Sequence, residues 1–159
     1  MFLRFDAKEA RVVGVILVLL LGAITSIEIR TGLIPDAVTI PGIGISLALS
    51  LLGYGASISA ALTGIIVGGG VVLFIILLSQ GGVGGGVMKM AAMAGGFLGW
   101  KLVAVVLTAT FIIGGAVAWL MTIRGSRTRT VLELGPFLAL AAMAAFLWGT
   151  ELLTWYAQQ

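Results

Sequence analysis

The chain has 159 residues, of which 60% are hydrophobic and only 9% are charged, and its mean hydropathy is +1.22. Soluble domains carry roughly 25% charged residues because their surface faces water. A chain this apolar is therefore not a water-soluble globular domain, and lipid is expected to cover much of it. The formal net charge of +3 comes from few residues spread along the chain, which argues against nucleic acid as a partner.

The absence of cysteine and histidine narrows the chemistry that is available to the protein. It excludes thiol nucleophiles, disulfides, Ser-His-Asp triads, histidine-ligated haem and ordinary zinc sites. Carboxylates, lysine, arginine, hydroxyl groups and the backbone remain. We therefore expect no metal and no cofactor.

The hydropathy pattern predicts an all-α, polytopic membrane helix bundle that forms one domain over residues 1–159. Residues 1–11 are predicted to be a short interfacial lead-in, with Arg11 able to reach the headgroups. Six apolar segments follow, at residues 12–27, 37–52, 58–79, 87–100, 102–123 and 131–149. The fourth is short, because a helix needs about 20 residues to cross the hydrocarbon. We expect it to be tilted, or to be a half-helix shielded by its neighbours.

Charge in the loops predicts the orientation of the bundle. With six segments, the loops at residues 28–36, 81–86 and 124–130 lie on the same side of the membrane. The last of these loops carries Arg124, Arg127 and Arg129, and this local density of positive charge predicts that all three loops face the cytoplasm.

Small residues at four-residue spacing, such as Gly64 and Gly68, predict close helix packing inside the bundle. They are not evidence for an oligomer.

A glycine-rich stretch, GGVGGGVMK at residues 81–89, precedes the fourth segment. It fits neither a dinucleotide fingerprint, because Val87 or Lys89 stands where the third glycine belongs, nor a P-loop, because no Ser or Thr follows Lys89. A flexible hinge is one explanation. The number of glycines, followed by a lone lysine at the membrane edge, favours a backbone surface that another chain can approach closely.

Two further segments carry polar groups at helix ends. Residues 28–36, EIRTGLIPD, read as a charged helix end followed by a turn, in which Arg30 could pair locally with Glu28 or Asp36. Residues 134–140, LGPFLAL, follow the arginine-rich loop, and a proline is normal near a helix start. Glu133 would then stand at a helix N-terminus, where the macrodipole favours an anion.

In this order and spacing, the three segments resemble the type IV prepilin peptidases, membrane-embedded aspartic proteases of the GxGD type. That family typically shows D-x-x-x-x-x-[IL]-P-[DN], then G-x-G-D-x-K-[LM], then a G-P-F-L-A-L-type stretch. Here Glu28 stands where the first aspartate is expected, and Val87 stands where the second is expected. The resemblance covers nearly the whole chain and does not extend to the family's usual amino-terminal methyltransferase-like domain.

The resemblance implies two facing carboxylates at the cytoplasmic membrane edge, one activating water and the other protonating the leaving group when a prepilin leader is cut. The catalytic positions carried over are Glu28 and Val87, of which the valine is chemically inert, with Glu133 as a possible substitute. The residues expected around them for binding are Arg30, Pro35, Asp36, Gly84, Gly85, Gly86 and Lys89.

Three interpretations follow. The leading one is a degenerate relative in a bacterial-type inner membrane, which binds prepilin-like peptides or other membrane-protein subunits, with lipid around it. The second is an active aspartic-type endopeptidase that pairs Glu28 with Glu133 or Asp36. The third is a small transporter or channel that uses the interrupted fourth segment and Lys89.

Overall fold

The computed structural model describes residues 7–79, 83–123 and 134–157, and almost all of these residues are helical. The helices are α1 (Ala7–Thr31), α2 (Asp36–Leu51), α3 (Ile58–Leu78), α4 (Gly85–Ile123) and α5 (Gly135–Ala157). The prediction of an all-α, polytopic membrane bundle is confirmed.

In the described part of the chain, three helices are long and apolar enough to span a membrane by length and composition. These candidate spans are Arg11–Thr31, Ile58–Leu78 and Gly85–Val117, the last of which contains a break at Gly99. Shorter apolar stretches lie at Asp36–Leu51 and, within α5, at Gly135–Trp148. The number of segments that cross the bilayer stays a prediction.

The turn between α1 and α2 is set by a glycine and a proline. α1 extends beyond the predicted 12–27, so that Glu28 and Arg30 lie in its last turn. Gly32 follows with a φ of +67°, and its N–H donates to the Glu28 carbonyl at 2.7 Å, which is a common way to end a helix. Pro35 is extended (φ −76°, ψ 125°) and directly precedes α2, whose first turn carries Asp36.

The chain reverses direction within α4, at Gly99. This residue has φ 77° and ψ 170°, which no helix contains. A side chain at Gly68 of α3 would collide with the Ala91 carbonyl and would also lie 3.3 Å from Val103. Ala91 and Val103 therefore reach the same position on α3 from the two sides of Gly99, which is possible only if the chain folds back there.

The reversal divides α4 into a first segment, residues 85–98, and a second segment, residues 100–123. The predicted boundary between the fourth and fifth apolar segments, at Lys101, lies two residues from the observed break. The first segment is the core of the bundle, since residues 90–99 are all buried. A short helix surrounded by other helices need not contact lipid along its length. The predicted shielding by neighbours is observed, and whether the segment is tilted across the membrane or is a half-helix stays a prediction.

Glycines have no side chain, and they allow the backbones of α3 and of the first segment of α4 to touch. A Cβ on Gly64 would collide with the carbonyl of Gly95, and a Cβ on Gly95 would collide with the carbonyl of Gly64. Such contact gains van der Waals energy in lipid, where the hydrophobic effect does not drive helices together. The predicted close packing at Gly64 and Gly68 is confirmed.

A buried face of small and hydroxyl-bearing residues runs along α2, comprising Thr39, Gly42, Ser46 and Ser50. The three hydroxyls donate to carbonyls of their own chain: Thr39 to Pro35 at 3.3 Å, Ser46 to Ile43 at 2.7 Å and Ser50 to Ser46 at 2.9 Å. Because the helix satisfies its own hydroxyls, this face packs on its neighbours without needing polar partners there.

Candidate functional site

Helix ends from four helices meet at one end of the bundle. Glu28 in the last turn of α1 contacts Gly135 at the start of α5, and Asp36 at the start of α2 contacts Lys89 near the start of α4. The residues that flank the three predicted same-side loops therefore lie at a common end. Which side of the membrane this end faces stays a prediction. Three helix N-termini, each with a partial positive charge, are gathered there.

The Glu28 carboxylate is buried and holds the start of α5. The residue is 3% exposed, and its Oε1 accepts a hydrogen bond from the backbone N–H of Gly135 at 3.2 Å. A Cβ on Gly135 would collide with this carboxylate, so the approach requires glycine. The geometry satisfies one of the backbone donors that a helix start leaves without an intrahelical acceptor. It also places the carboxyl group at the positive end of the α5 dipole, where a negative charge is favoured.

Asp36 forms an ion pair with a distant lysine. Lys89 Nζ lies 2.5 Å from Asp36 Oδ2, and the two side chains are 34% and 54% exposed respectively. Arg30, which the sequence suggested as a local partner for Asp36 or Glu28, is exposed on the last turn of α1. The observed pair ties the start of α2 to the second turn of α4.

Val87 packs into the apolar core. It is 4% exposed and belongs to the buried hydrophobic cluster, together with Met90 and Leu134. Its backbone N–H donates to the Gly84 carbonyl at 3.1 Å, which starts the helix. Position 87 therefore offers an isopropyl group inside the bundle and no group that could hold a proton.

Among the described glycines of this stretch, Gly86 is approached closely by a residue of the same chain, and the predicted approach of another chain stays a prediction. A Cβ on Gly86 would lie 2.7 Å from the Cβ of Ile34, so the turn before α2 packs directly on the start of α4. Gly85 is exposed, and a Cβ there would meet nothing within 4 Å. Gly84 is half-buried just before the helix.

The structure thus brings most of the sequence-predicted site residues to one end of the bundle, in two contacts: Glu28 with the start of α5, and Asp36 with Lys89. A direct approach of Glu28 to Val87 stays a prediction. Glu133 and the three arginines of the predicted basic loop lie outside the described residues, so the substitute role of Glu133 also stays a prediction.

Sequence reasoning missed the role of Gly135. It noted the Gly-Pro pair as a normal helix start and did not assign a function to the glycine. The signal was present, because a glycine directly before a proline at a helix start leaves an N–H that a buried side chain can approach without steric hindrance. What the sequence could not supply was the partner, which lies 107 positions earlier in the chain.

These features define a class of protein: a polytopic helical membrane protein. Several helix ends meet at one end of its bundle, and they carry carboxylates, a lysine and glycines. The family is shown by sequence comparison. The model of the type IV leader peptidase family matches residues 15–119, and the chain belongs to that family.

Curated relatives agree with this assignment. A prepilin leader peptidase/N-methyltransferase of Burkholderia pseudomallei (strain K96243) is 34% identical over 134 residues, which cover 80% of this chain and 43% of the relative. Proteins of the same name are 30% identical over 149 residues in Aeromonas hydrophila (90% and 51% covered) and 29% identical over 155 residues in Pseudomonas putida (94% and 54% covered). The chain spans about half the length of these relatives. No solved structure matches it.

Proposed function

We propose that this chain is a member of the type IV leader peptidase family that does not cleave, and that it acts as a binding or structural subunit of a membrane assembly. Its site would face the cytoplasm of a bacterial inner membrane, with prepilin-like segments or other membrane subunits as partners. The three arginines at positions 124, 127 and 129 of the sequence support this orientation.

The observation that carries the proposal is the environment of Val87. Aspartic-type hydrolysis needs two carboxylates that share a proton, so that one is ionised while the other is neutral. Position 87 matches the second aspartate of the family pattern and holds a valine that is 4% exposed within the apolar cluster. Removing one member of such a catalytic unit typically lowers the rate by about 10⁴-fold or more.

The contacts of Glu28 add support. Its carboxylate is buried against the first N–H of α5, where it fixes one helix to another. A carboxylate in that position stabilises the packing of two helices, and this structural role does not require catalysis. Glutamate is one methylene longer than the family's aspartate, which suits a side chain that reaches across to α5.

An active peptidase is the second candidate, and it would need another acid. Asp36 is poorly suited, since it is 54% exposed and its carboxylate already contacts Lys89. Glu133 is better suited because it stands two positions before Gly135, the residue that donates to Glu28. The transporter interpretation gains no support, since a chain reversal accounts for the interruption of α4 and Lys89 is ion-paired at the end of the bundle.

The test is a cleavage assay on a prepilin substrate with the purified chain in proteoliposomes. The forms compared are the native chain, Glu28→Ala, Glu133→Gln and the double variant Glu28→Asp with Val87→Asp. We expect cleavage from the double variant alone, which would mean that the cleft is intact and only the chemistry is missing. Cleavage by the native chain that Glu28→Ala and Glu133→Gln both abolish would establish the second candidate instead.

Binding is tested separately, by purification of the tagged native chain from its membrane in mild detergent. We expect a membrane protein or a prepilin-like polypeptide to copurify in stoichiometric amounts. The matched control is Lys89→Glu, which should weaken that association by placing a like charge beside Asp36 at the proposed binding end. A chain that purifies alone under all conditions would contradict the binding role.

A further inference from the structure

A groove lies between α1 and α5, toward the end of the bundle away from Glu28. Its volume is about 560 Å³, and its lining includes Arg11, Val15, Val18 and Leu147. The floor forms where Gly14 lets Phe146 approach, since a Cβ on Gly14 would meet the Phe146 ring. Apart from Arg11, the lining side chains are apolar.

The groove is elongated along α1. Its lining residues on α1 run from Arg11 to Leu19, and eight residues of helix rise about 12 Å. An extended hydrocarbon chain can lie along an apolar groove of this length.

The position of Arg11 supplies the polar end of the site. It directly precedes the apolar run at residues 12–27, so its side chain can reach the headgroups. The residue is exposed, and its guanidinium carries five N–H donors in a planar fork that matches the geometry of phosphate. With five donors, it can bind a phosphate while keeping a contact with the protein.

We propose that this groove binds one membrane phospholipid, with an acyl chain along the floor formed by Gly14 and Phe146 and the phosphate on Arg11. The site lies away from the cluster around Glu28 and does not depend on the function proposed for that cluster. The bound lipid would fill the groove between α1 and α5. The contact between Glu28 and Gly135 joins the same two helices at their other ends.

The experiment is native mass spectrometry of the full chain, delipidated in mild detergent and then incubated with phosphatidylglycerol or with diacylglycerol. The expected result is one phosphatidylglycerol per chain, with diacylglycerol bound about tenfold more weakly, because it lacks the group that a charged donor holds. Arg11→Gln should lower phosphatidylglycerol binding by a similar factor. Lys101→Gln, which removes a cation beside Trp100 outside the groove, should leave binding unchanged.

A second pair of variants tests the apolar part. Val18→Trp fills the groove from a side chain that is 47% exposed, and Ile66→Trp adds the same bulk on the outer face of α3, where the side chain is 69% exposed. Loss of lipid in Val18→Trp and retention in Ile66→Trp, both with native helicity, would support the site, and Val15→Trp replaces Val18→Trp if that variant does not fold. Equal retention in the native chain, Arg11→Gln and the groove-filling variant would overturn the proposal. A polypeptide displaced by Val18→Trp, with no change in lipid, would also overturn it.

Discussion

The Glu28 carboxylate accepts a hydrogen bond from the Gly135 N–H at 3.2 Å, across 107 positions of the chain. This contact joins the last turn of α1 to the first turn of α5. Gly14 and Phe146 bring the same two helices together toward their other ends. Two widely separated contacts on one helix pair fix their relative orientation, and both depend on a glycine.

Replacing Gly135 with alanine should destabilise the bundle. The added methyl group would collide with the Glu28 carboxylate, and overpacking of this kind costs about 1–3 kcal/mol. The measurement is the thermal or denaturant midpoint of the purified chain in detergent. Gly70→Ala is the control, because a Cβ at Gly70 meets nothing within 4 Å, and it should not lower the midpoint. Equal midpoints for the two variants would contradict the contact.

Replacing Gly99 with alanine should disturb the chain reversal. Its φ of 77° and ψ of 170° lie in a region that is essentially restricted to glycine, and holding another residue there costs about 1–3 kcal/mol. Space is not limiting, since the nearest atom to an added Cβ is 3.6 Å away. A loss of stability would therefore be due to backbone strain alone. Gly115→Ala, in the second segment of α4, has open space and no positive φ and is the matched control. Unchanged stability of Gly99→Ala would argue against the reversal.

The ion pair between Asp36 and Lys89 should contribute little to stability. The side chains are 54% and 34% exposed, and ion pairs of this kind contribute about 0–1 kcal/mol. A double-mutant cycle with Asp36→Asn and Lys89→Gln measures the coupling directly. The swapped variant Asp36→Lys with Lys89→Asp should regain part of any loss. A coupling well above this range would mean that the pair is shielded from solvent in the membrane.

The overall fold could be predicted because hydropathy marks lipid-facing and core helices alike, and glycine and proline mark their ends. The break near Lys101 was found this way, within two residues of Gly99. The contacts of Glu28 and Asp36 could not be found in the same way. Their partners lie 107 and 53 positions away, and the one local rule that applied suggested pairing with Arg30. Long-range pairs depend on how the helices pack against one another. No fixed residue spacing in a single sequence indicates which residues will meet.

Single-cysteine labelling should place the loops around Thr31 and Gly85 on the same side of the membrane, because helix ends joined through Ile34 and Gly86 share one end of the bundle. Both positions are exposed, and no native cysteine competes for the reagent. Tyr54→Cys, in the turn between α2 and α3, is the control and should label from the opposite side. Opposite labelling of positions 31 and 85 would contradict the arrangement.

Replacing Val87 with aspartate should introduce a second carboxylate at the site and lower the stability of the folded chain. The site is 4% exposed within an apolar cluster, and an isolated carboxyl group buried there costs several kcal/mol unless it finds a partner. Gly85→Asp is the matched control. It lies two residues earlier in an exposed position, where the helix dipole favours an anion, so its unfolding midpoint should be close to that of the native chain.

The measurement is the unfolding midpoint of Val87→Asp alone and combined with Glu28→Asp. The second change shortens the side chain that reaches Gly135, so the double variant should be less stable than Val87→Asp if that hydrogen bond contributes. An unaltered midpoint for Val87→Asp would mean that position 87 faces a hydrated cleft. The packing of Val87 would then no longer support the proposal that the chain does not cleave.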